Sequence, residues 1–269
     1  MNNCLAIAFV FLILLLPHPA CARDYDSGPR LVAYFNFDDD ARDYTGWQIP
    51  GTAYGPYFVK GISGQAYYFD GINDYIDLGL ILTEEIRDGF TISVWIKLEE
   101  GALIKPHNYI FWKQDDQPGI RVTRDQIVFT AYHRGEGCCM VSRTRLREGQ
   151  WYYIAYAFNG STFNGYIDGK FEVSQPNCIR CLSSFEPMPA FGTEVFDSRP
   201  WSMGDWGEEV GEPSAGTFTP GGRLLIGADE KKPSAWRHFQ GIIDEVKIWN
   251  YALSEEEIRL EYERVIDGF

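Results

Sequence analysis

Gly241-Ile-Ile-Asp-Glu-Val-Lys-Ile-Trp-Asn-Tyr-Ala-Leu-Ser254, close to the end of a 269-residue chain, changes character halfway along. Ile243, Val246 and Ile248 are apolar and β-prone among Asp244, Glu245 and Lys247, a strand pattern that falters at one point. After Ser254 the period becomes helical. Glu257 stands three residues on, the capping-box spacing, and Ile258, Tyr262 and Val265 supply one apolar side. A helix this short is marginal by itself, so it must pack on something. The stretch predicts a strand that carries an aspartate, followed by a short capped helix that closes the domain.

Upstream, Leu31-Val-Ala-Tyr-Phe-Asn-Phe-Asp38 alternates like a strand, and Phe90-Thr-Ile-Ser-Val-Trp-Ile-Lys97 reads as a central one. Ala66–Phe69 and Tyr75–Leu78 are predicted strands around an Asp70-Gly71 turn, and Phe163–Ile167 and Lys170–Val173 pair around Asp168-Gly169. Tyr109–Lys113, Ile120–Thr123, Gln126–Thr130, Met140–Thr144 and Trp151–Phe158 continue the antiparallel series, and Arg223–Gly227 returns to strand before the closing element. Residues 47–64 read as turn-rich.

Several of these segments also carry a family pattern. Gly61-Ile-Ser-Gly-Gln-Ala-Tyr-Tyr-Phe-Asp-Gly71 with Asp74-Tyr75-Ile76, the segment Trp151 to Gly169, and the closing Ile-Asp-Glu-Val stretch follow one another in fixed order. From about Leu31 to Tyr262 the chain resembles the laminin-G-like, concanavalin A-like jelly-roll domains. The resemblance implies an all-β, two-sheet antiparallel jelly-roll β-sandwich with a short C-terminal α-helix. It also implies a structural calcium ion (Ca2+) between an early aspartate and Asp244, with Asp43 the first early candidate and Asp38 the second. Asp38-Asp39-Asp40 and Asp43 could supply some of the oxygen ligands that calcium takes. A solvated acidic turn is the other reading of the same residues.

Composition narrows the function classes. A net charge of −14 argues against nucleic acid and anionic membrane surfaces, which call for basic patches. Aromatic residues at 16%, with 27 glycines and 14 prolines, suit many short strands joined by tight turns. Leu5 to Leu16 is an apolar run too short to span a bilayer comfortably, and Ala20-Cys21-Ala22 follows as a small-residue cleavage site. Residues 1–22 are therefore read as a secretory signal, with lipid anchoring at Cys21 the alternative, and residues 23–269 as one domain. The expected location is extracellular, or periplasmic in a bacterium.

In an oxidising compartment Cys138, Cys139, Cys178 and Cys181 are expected to form two disulfides. Adjacent cysteines bond each other poorly, so Cys138 and Cys139 are expected to reach Cys178 and Cys181, in either of two connectivities. A Cys4 zinc site is the alternative, although an adjacent pair lacks the usual spacer. Asn159-Gly-Ser161 is an N-glycosylation acceptor in a eukaryote, or simply a turn.

Residues 182–222 form an acidic, proline- and glycine-rich insertion with Arg199 as its only basic residue. Its aromatic residues suit an ordered excursion over one end or face of the sandwich. Jelly-roll lectins stack sugars on exposed aromatics, which makes Trp201, Trp206 and Trp236 the binding candidates, with Tyr132 and His133 next. Trp95, Trp151 and Trp249 lie in strand patterns and belong to the core. The paired carboxylates of glycoside hydrolases are not recognisable on any strand, and no nucleophile-elbow, zinc-protease or phosphate-loop motif occurs. The sequence thus predicts non-catalytic recognition of a glycan or an extracellular protein. A glycoside hydrolase or polysaccharide lyase on the same fold is the second reading, and a structural or adhesive surface component the third.

Overall fold

A computed structural model describes residues 29–46, 49–79, 88–113, 118–133, 136–176, 223–229 and 237–268. The first strands are β1 (Leu31–Phe35), β2 (Thr52–Tyr54), β3 (Tyr57–Lys60), β4 (Gln65–Asp70), β5 (Tyr75–Gly79) and β6 (Phe90–Leu98). A 3-10 turn at Ala102–Ile104 leads to β7 (Asn108–Lys113), β8 (Pro118–Thr123), β9 (Gln126–His133) and β10 (Glu136–Val141). There follow β11 (Trp151–Phe158), β12 (Thr162–Ile167), β13 (Lys170–Pro176), β14 (Leu224–Ile226), β15 (Gln240–Trp249) and helix α1 (Glu255–Ile266).

Two antiparallel sheets result. The eight-stranded sheet runs β13-β12-β11-β6-β15-β4-β3, with β1 also paired to β15, and the seven-stranded sheet runs β10-β9-β8-β7-β14-β5-β2. Alternate residues of both sheets interleave between them: Phe35, Phe69, Ile96 and Ile248 from the first meet Phe111, Phe129 and Ile226 from the second, all buried. Burying each such side chain contributes about 1.5–3 kcal/mol, so this layer dominates the stability.

A second apolar cluster lies on the outer side of the eight-stranded sheet. Trp95, Tyr153, Ala155 and Trp249 are covered there by Ile258 and Tyr262 of α1, and Trp151 packs partly buried beside them. Trp95 and Tyr262 stack with ring centroids 5.5 Å apart. The helix is therefore held by the opposite face of strands whose other face builds the main core, which is why β6 reads buried on both sides. Its start is a complete capping box: Ser254 accepts from the Glu257 backbone, and the Glu257 side chain accepts from the Ser254 backbone.

The turns follow their residues. Asp168 and Gly169 adopt φ of 51° and 72°, the left-handed pair that a two-residue hairpin of this kind requires. Two segments differ from expectation. Residues 52–54 and 57–60, read as turns, form the edge strands β2 and β3, because backbone pairing on one side suffices for an edge. The strand expected at 140–144 begins earlier and ends at Val141; next to it Ser142 donates its N–H to the Ile127 carbonyl and its hydroxyl accepts from the Ile127 N–H.

Candidate functional site

The faltering point of the closing strand is a β-bulge. β15 pairs with β4 through Gln240–Ile243 and with β1 through Val246–Trp249, so β4 and β1 lie end to end along one of its edges. Asp244 and Glu245 fall in the gap between them, and Glu245 takes a left-handed φ of 50°. Loop 61–64, which feeds β4, folds over this gap. Asp244 Oδ2 accepts from the backbone N–H of Ile62 at 2.9 Å and of Ser63 at 3.3 Å, and Oδ1 accepts from Glu245 N–H at 2.8 Å. Gly61 has no side chain because a Cβ there would come within 2.4 Å of Asp244 Oδ2.

Asp244 is fully buried. Burial pushes its carboxyl up to about 8, aided by the neighbouring Glu245 and opposed by the backbone N–H groups that it accepts. Glu245 is raised by burial as well and partly restored by Lys247 and the Tyr34 hydroxyl. Tyr34 donates to both Glu245 oxygens at 2.9 Å, and Lys247 lies 3.6 Å from Glu245 and 3.1 Å from Glu261 of α1. The bulge is thereby tied to the first strand and to the closing helix.

The early aspartates separate. Asp38 joins this seam: Oδ1 accepts from the Gln65 backbone at 2.8 Å and Oδ2 from Asn36 Nδ2 at 2.8 Å. Asp43 instead closes its own turn, accepting from the backbones of Tyr34 and Thr45 and from the Thr45 hydroxyl. Asp38 and Asp244 thus share loop 61–65, with hard oxygen donors of the kind calcium takes. Among the described residues no group of three or more His, Cys, Asp or Glu side chains is arranged to hold a metal ion.

A different surface is built by the outer face of the seven-stranded sheet. Strand registers align Thr130, Gly119, Trp112, Leu225 and Asp77 in one row across five strands. At the centre, the six-membered ring of Trp112 covers Gly119: a Cβ there would lie 2.5 Å from Cε3 and 2.6 Å from Cζ3. Tyr109 meets the indole edge-on at 5.1 Å and 90°, and the Arg121 guanidinium lies over the Tyr109 ring at 5.7 Å. Trp112 stays partly exposed, although Tyr109 beside it is buried. An indole fixed in this way by its sheet, with polar neighbours, presents an apolar plane at little entropic cost.

Polar groups frame the row. Asp77 is held by Arg223 through both carboxylate oxygens, at 2.5 to 3.0 Å, and Asp229 pairs with Arg237 at 2.6 Å. His107 Nδ1 lies 3.2 Å from the Thr123 hydroxyl, which also accepts from Arg121 Nε at 3.2 Å. Burial first, then Arg121 and Arg237, push the His107 imidazole down to about 4, so it is neutral at physiological pH.

Of the binding candidates from the sequence, Tyr132 and His133 close β9 just beyond Thr130. Trp201, Trp206 and Trp236 lie outside the described residues, as do Cys178, Cys181, the 1–22 segment and the 182–222 insertion. Cys138 and Cys139 both fall on β10, opposite Ala131 and Thr130. Trp112 and Gly119 were not singled out in the sequence. Trp112 sits inside a strand pattern, and only cross-strand register shows that it faces a glycine.

Comparison with known proteins gives the class. The chain belongs to the concanavalin A-like lectin/glucanases superfamily, whose laminin G-type profile matches residues 70–202 and 207–259. No curated protein matches the chain. Among solved structures it is similar to domain 4 of AbnA, a GH43 extracellular arabinanase from Geobacillus stearothermophilus in complex with arabinotriose. That likeness has a TM-score of 0.58 at 19% identity, covering 86% of this chain and 97% of that one. It is also similar to the botulinum neurotoxin serotype D binding domain (TM-score 0.59, 14% identity, 87% of this chain and 51% of that one). A botulinum serotype D ligand binding domain in complex with N-acetylneuraminic acid matches at TM-score 0.58 and 13% identity, over 87% and 50% of the two chains. The chain spans about half the length of these toxin domains. At such identities the likeness is one of fold.

Proposed function

We propose that this domain binds a glycan without transforming it, on the outer face of the seven-stranded sheet, with Trp112 as the stacking plane. The observation that carries the reading is the partly exposed indole seated on Gly119 and braced by Tyr109. Membership of a lectin and glucanase superfamily supports it, as do similar folds solved with arabinotriose and N-acetylneuraminic acid. The two carboxylates described on this face, Asp77 and Asp229, are each paired with an arginine, which favours binding over hydrolysis there. By strand alternation Tyr132 shares the face of Thr130 and would extend the surface along β9, whereas His133 falls on the other face. Trp201, Trp206 and Trp236 are proposed to border it.

The test is a glycan array on the wild type and on Trp112→Ala, followed by reducing-end and unsaturated-product assays on every hit. Binding without turnover, lost in Trp112→Ala, is the expected result. Turnover would establish the hydrolase or lyase reading. Absence of both signals would leave an extracellular protein partner, or an adhesive role, as the function. The proposed location is extracellular, and among the described residues no helix is long and apolar enough to cross a membrane.

We also propose that calcium, where bound, is held by Asp38 and Asp244 at loop 61–65, where it would offset buried negative charge and pin the loop. Chelation should then lower the melting temperature, and an unchanged transition would count against the ion.

A further inference from the structure

We propose that the ligand is an acidic glycan, whose carboxylate is taken by Arg121 while its sugar ring stacks on Trp112. This rests on the reading of Trp112 given above and adds the chemical class of the ligand.

The chain carries a net −14, so its arginines have many acidic side chains to choose from. Arg121 has none: no ion pair to it is formed among the described residues, and its Nη1 is buried without a hydrogen-bond partner. Its one side-chain hydrogen bond among the described residues is from Nε to the neutral hydroxyl of Thr123. A partly buried guanidinium left in this condition loses hydration without gaining an anion, an arrangement that costs free energy unless something completes it. The cation lies over the Tyr109 ring, and that ring abuts Trp112, so the charge and the stacking plane are neighbours.

The surroundings add positive character. Arg237 reaches the same region, and its partner Asp229 offsets one of the two guanidinium charges but not both. His107 supplies no charge of its own near neutral pH. Among the described residues named on this face, three arginines (Arg121, Arg223, Arg237) stand against two aspartates (Asp77, Asp229). A cation left over on an acidic protein favours an anionic ligand. Guanidinium N–H groups match carboxylates better than hydroxyls; Nε is already engaged by Thr123 and Nη1 is buried, which leaves Nη2 of Arg121 for the ligand.

The experiment is calorimetric titration of the full chain with a panel of carboxylated glycans: oligogalacturonate, alginate oligomers, hyaluronan oligomers and sialyllactose. Each is titrated beside its carboxyl-reduced counterpart, which keeps the ring and loses the charge. The expected result is at least one acid form bound about tenfold or more tighter than its reduced partner, with an affinity that falls as salt rises. In Arg121→Gln the ratio should collapse to within about twofold, and Arg121→Lys should restore only part of it. Melting curves for both variants verify that they fold.

Equal binding of acid and reduced forms would overturn the acidic ligand and leave the Trp112 reading standing. An acid preference that survives Arg121→Gln would overturn the role of this arginine. Failure of every member of the panel, charged or reduced, would overturn this proposal together with the glycan reading beneath it.

Discussion

Gly119→Ala offers the sharpest examination of the proposed binding face, because it adds one methyl group directly beneath the indole. The new Cβ would stand 2.5 Å from Trp112 Cε3, 2.6 Å from Cζ3 and 2.6 Å from Thr130 Oγ1. Carbon atoms pack at about 3.5–4.0 Å, so the ring must lift by about 1 Å or more, or swing off the sheet. The backbone raises no objection, since Gly119 is not among the residues with a left-handed φ. The effect is therefore steric. Overpacking a closed core costs about 1–3 kcal/mol. Trp112 is partly exposed and can yield outward, so the lower end, about 1 kcal/mol, is expected, a fall in Tm of roughly 2–4 °C. Binding should suffer more than folding. Losing the fixed plane should weaken a stacked glycan by about tenfold, close to the effect of Trp112→Ala. Calorimetric titration and thermal denaturation on the same samples separate the two effects. Wild-type affinity in Gly119→Ala, with an unchanged Tm, would show that the indole is not seated on Gly119 and would refute the reasoning.

Other outcomes follow from the same structure. Asp244→Ala leaves three N–H donors, one buried and two partly buried, without an acceptor, at about 2–4 kcal/mol in all, whereas Asp244→Asn keeps one acceptor oxygen and should cost about half as much. Urea unfolding measures both, and losses below about 1 kcal/mol would contradict the anchoring role. Ser254→Ala removes the N-cap of α1 and should cost about 1 kcal/mol, visible as an early loss of amide protection in the helix by hydrogen exchange. His107 gives a pH dependence: its pKa is lowered to about 4 from 6.5 by burial and by Arg121 and Arg237, with Thr123 and Tyr109 its other close neighbours. The unfolded chain therefore takes up the proton first, and stability present above about pH 6.5 is lost as pH falls towards 4. The full shift would correspond to about 3.4 kcal/mol, and solvent screening of this partly exposed imidazole reduces the loss to about 1–2 kcal/mol. Comparing wild type with His107→Gln across pH 7 to 4 isolates it, and parallel curves would exclude this histidine.

Much of the architecture could be read along the chain because it is written in local chemistry. Period-two alternation placed β1 and β6, Asp168-Gly169 placed a hairpin, and Ser254 with Glu257 placed the start of the helix. The break between Asp244 and Val246 was visible as a flaw in the pattern, but its meaning was not. It became a bulge only because β4 and β1 end on either side of it and loop 61–64 needs acceptors for its N–H groups. The edge strands β2 and β3 escaped notice for a related reason: with one face and one edge in solvent they need no strong alternation.

The candidate site was less legible. The sequence offered tryptophans in loop-like surroundings and an early aspartate, Asp43, which in the fold serves its own turn. The sequence alone determined the two-sheet sandwich, its closing helix and the acidic character of the whole. Tertiary structure alone decided that Trp112 lies over Gly119 and that Arg121 lies over the neighbouring Tyr109 ring, with no ion pair among the described residues. The physical reason is that alternation and capping act between residues a few positions apart, whereas a binding face is made by register between strands. Register is set by how the complete core packs.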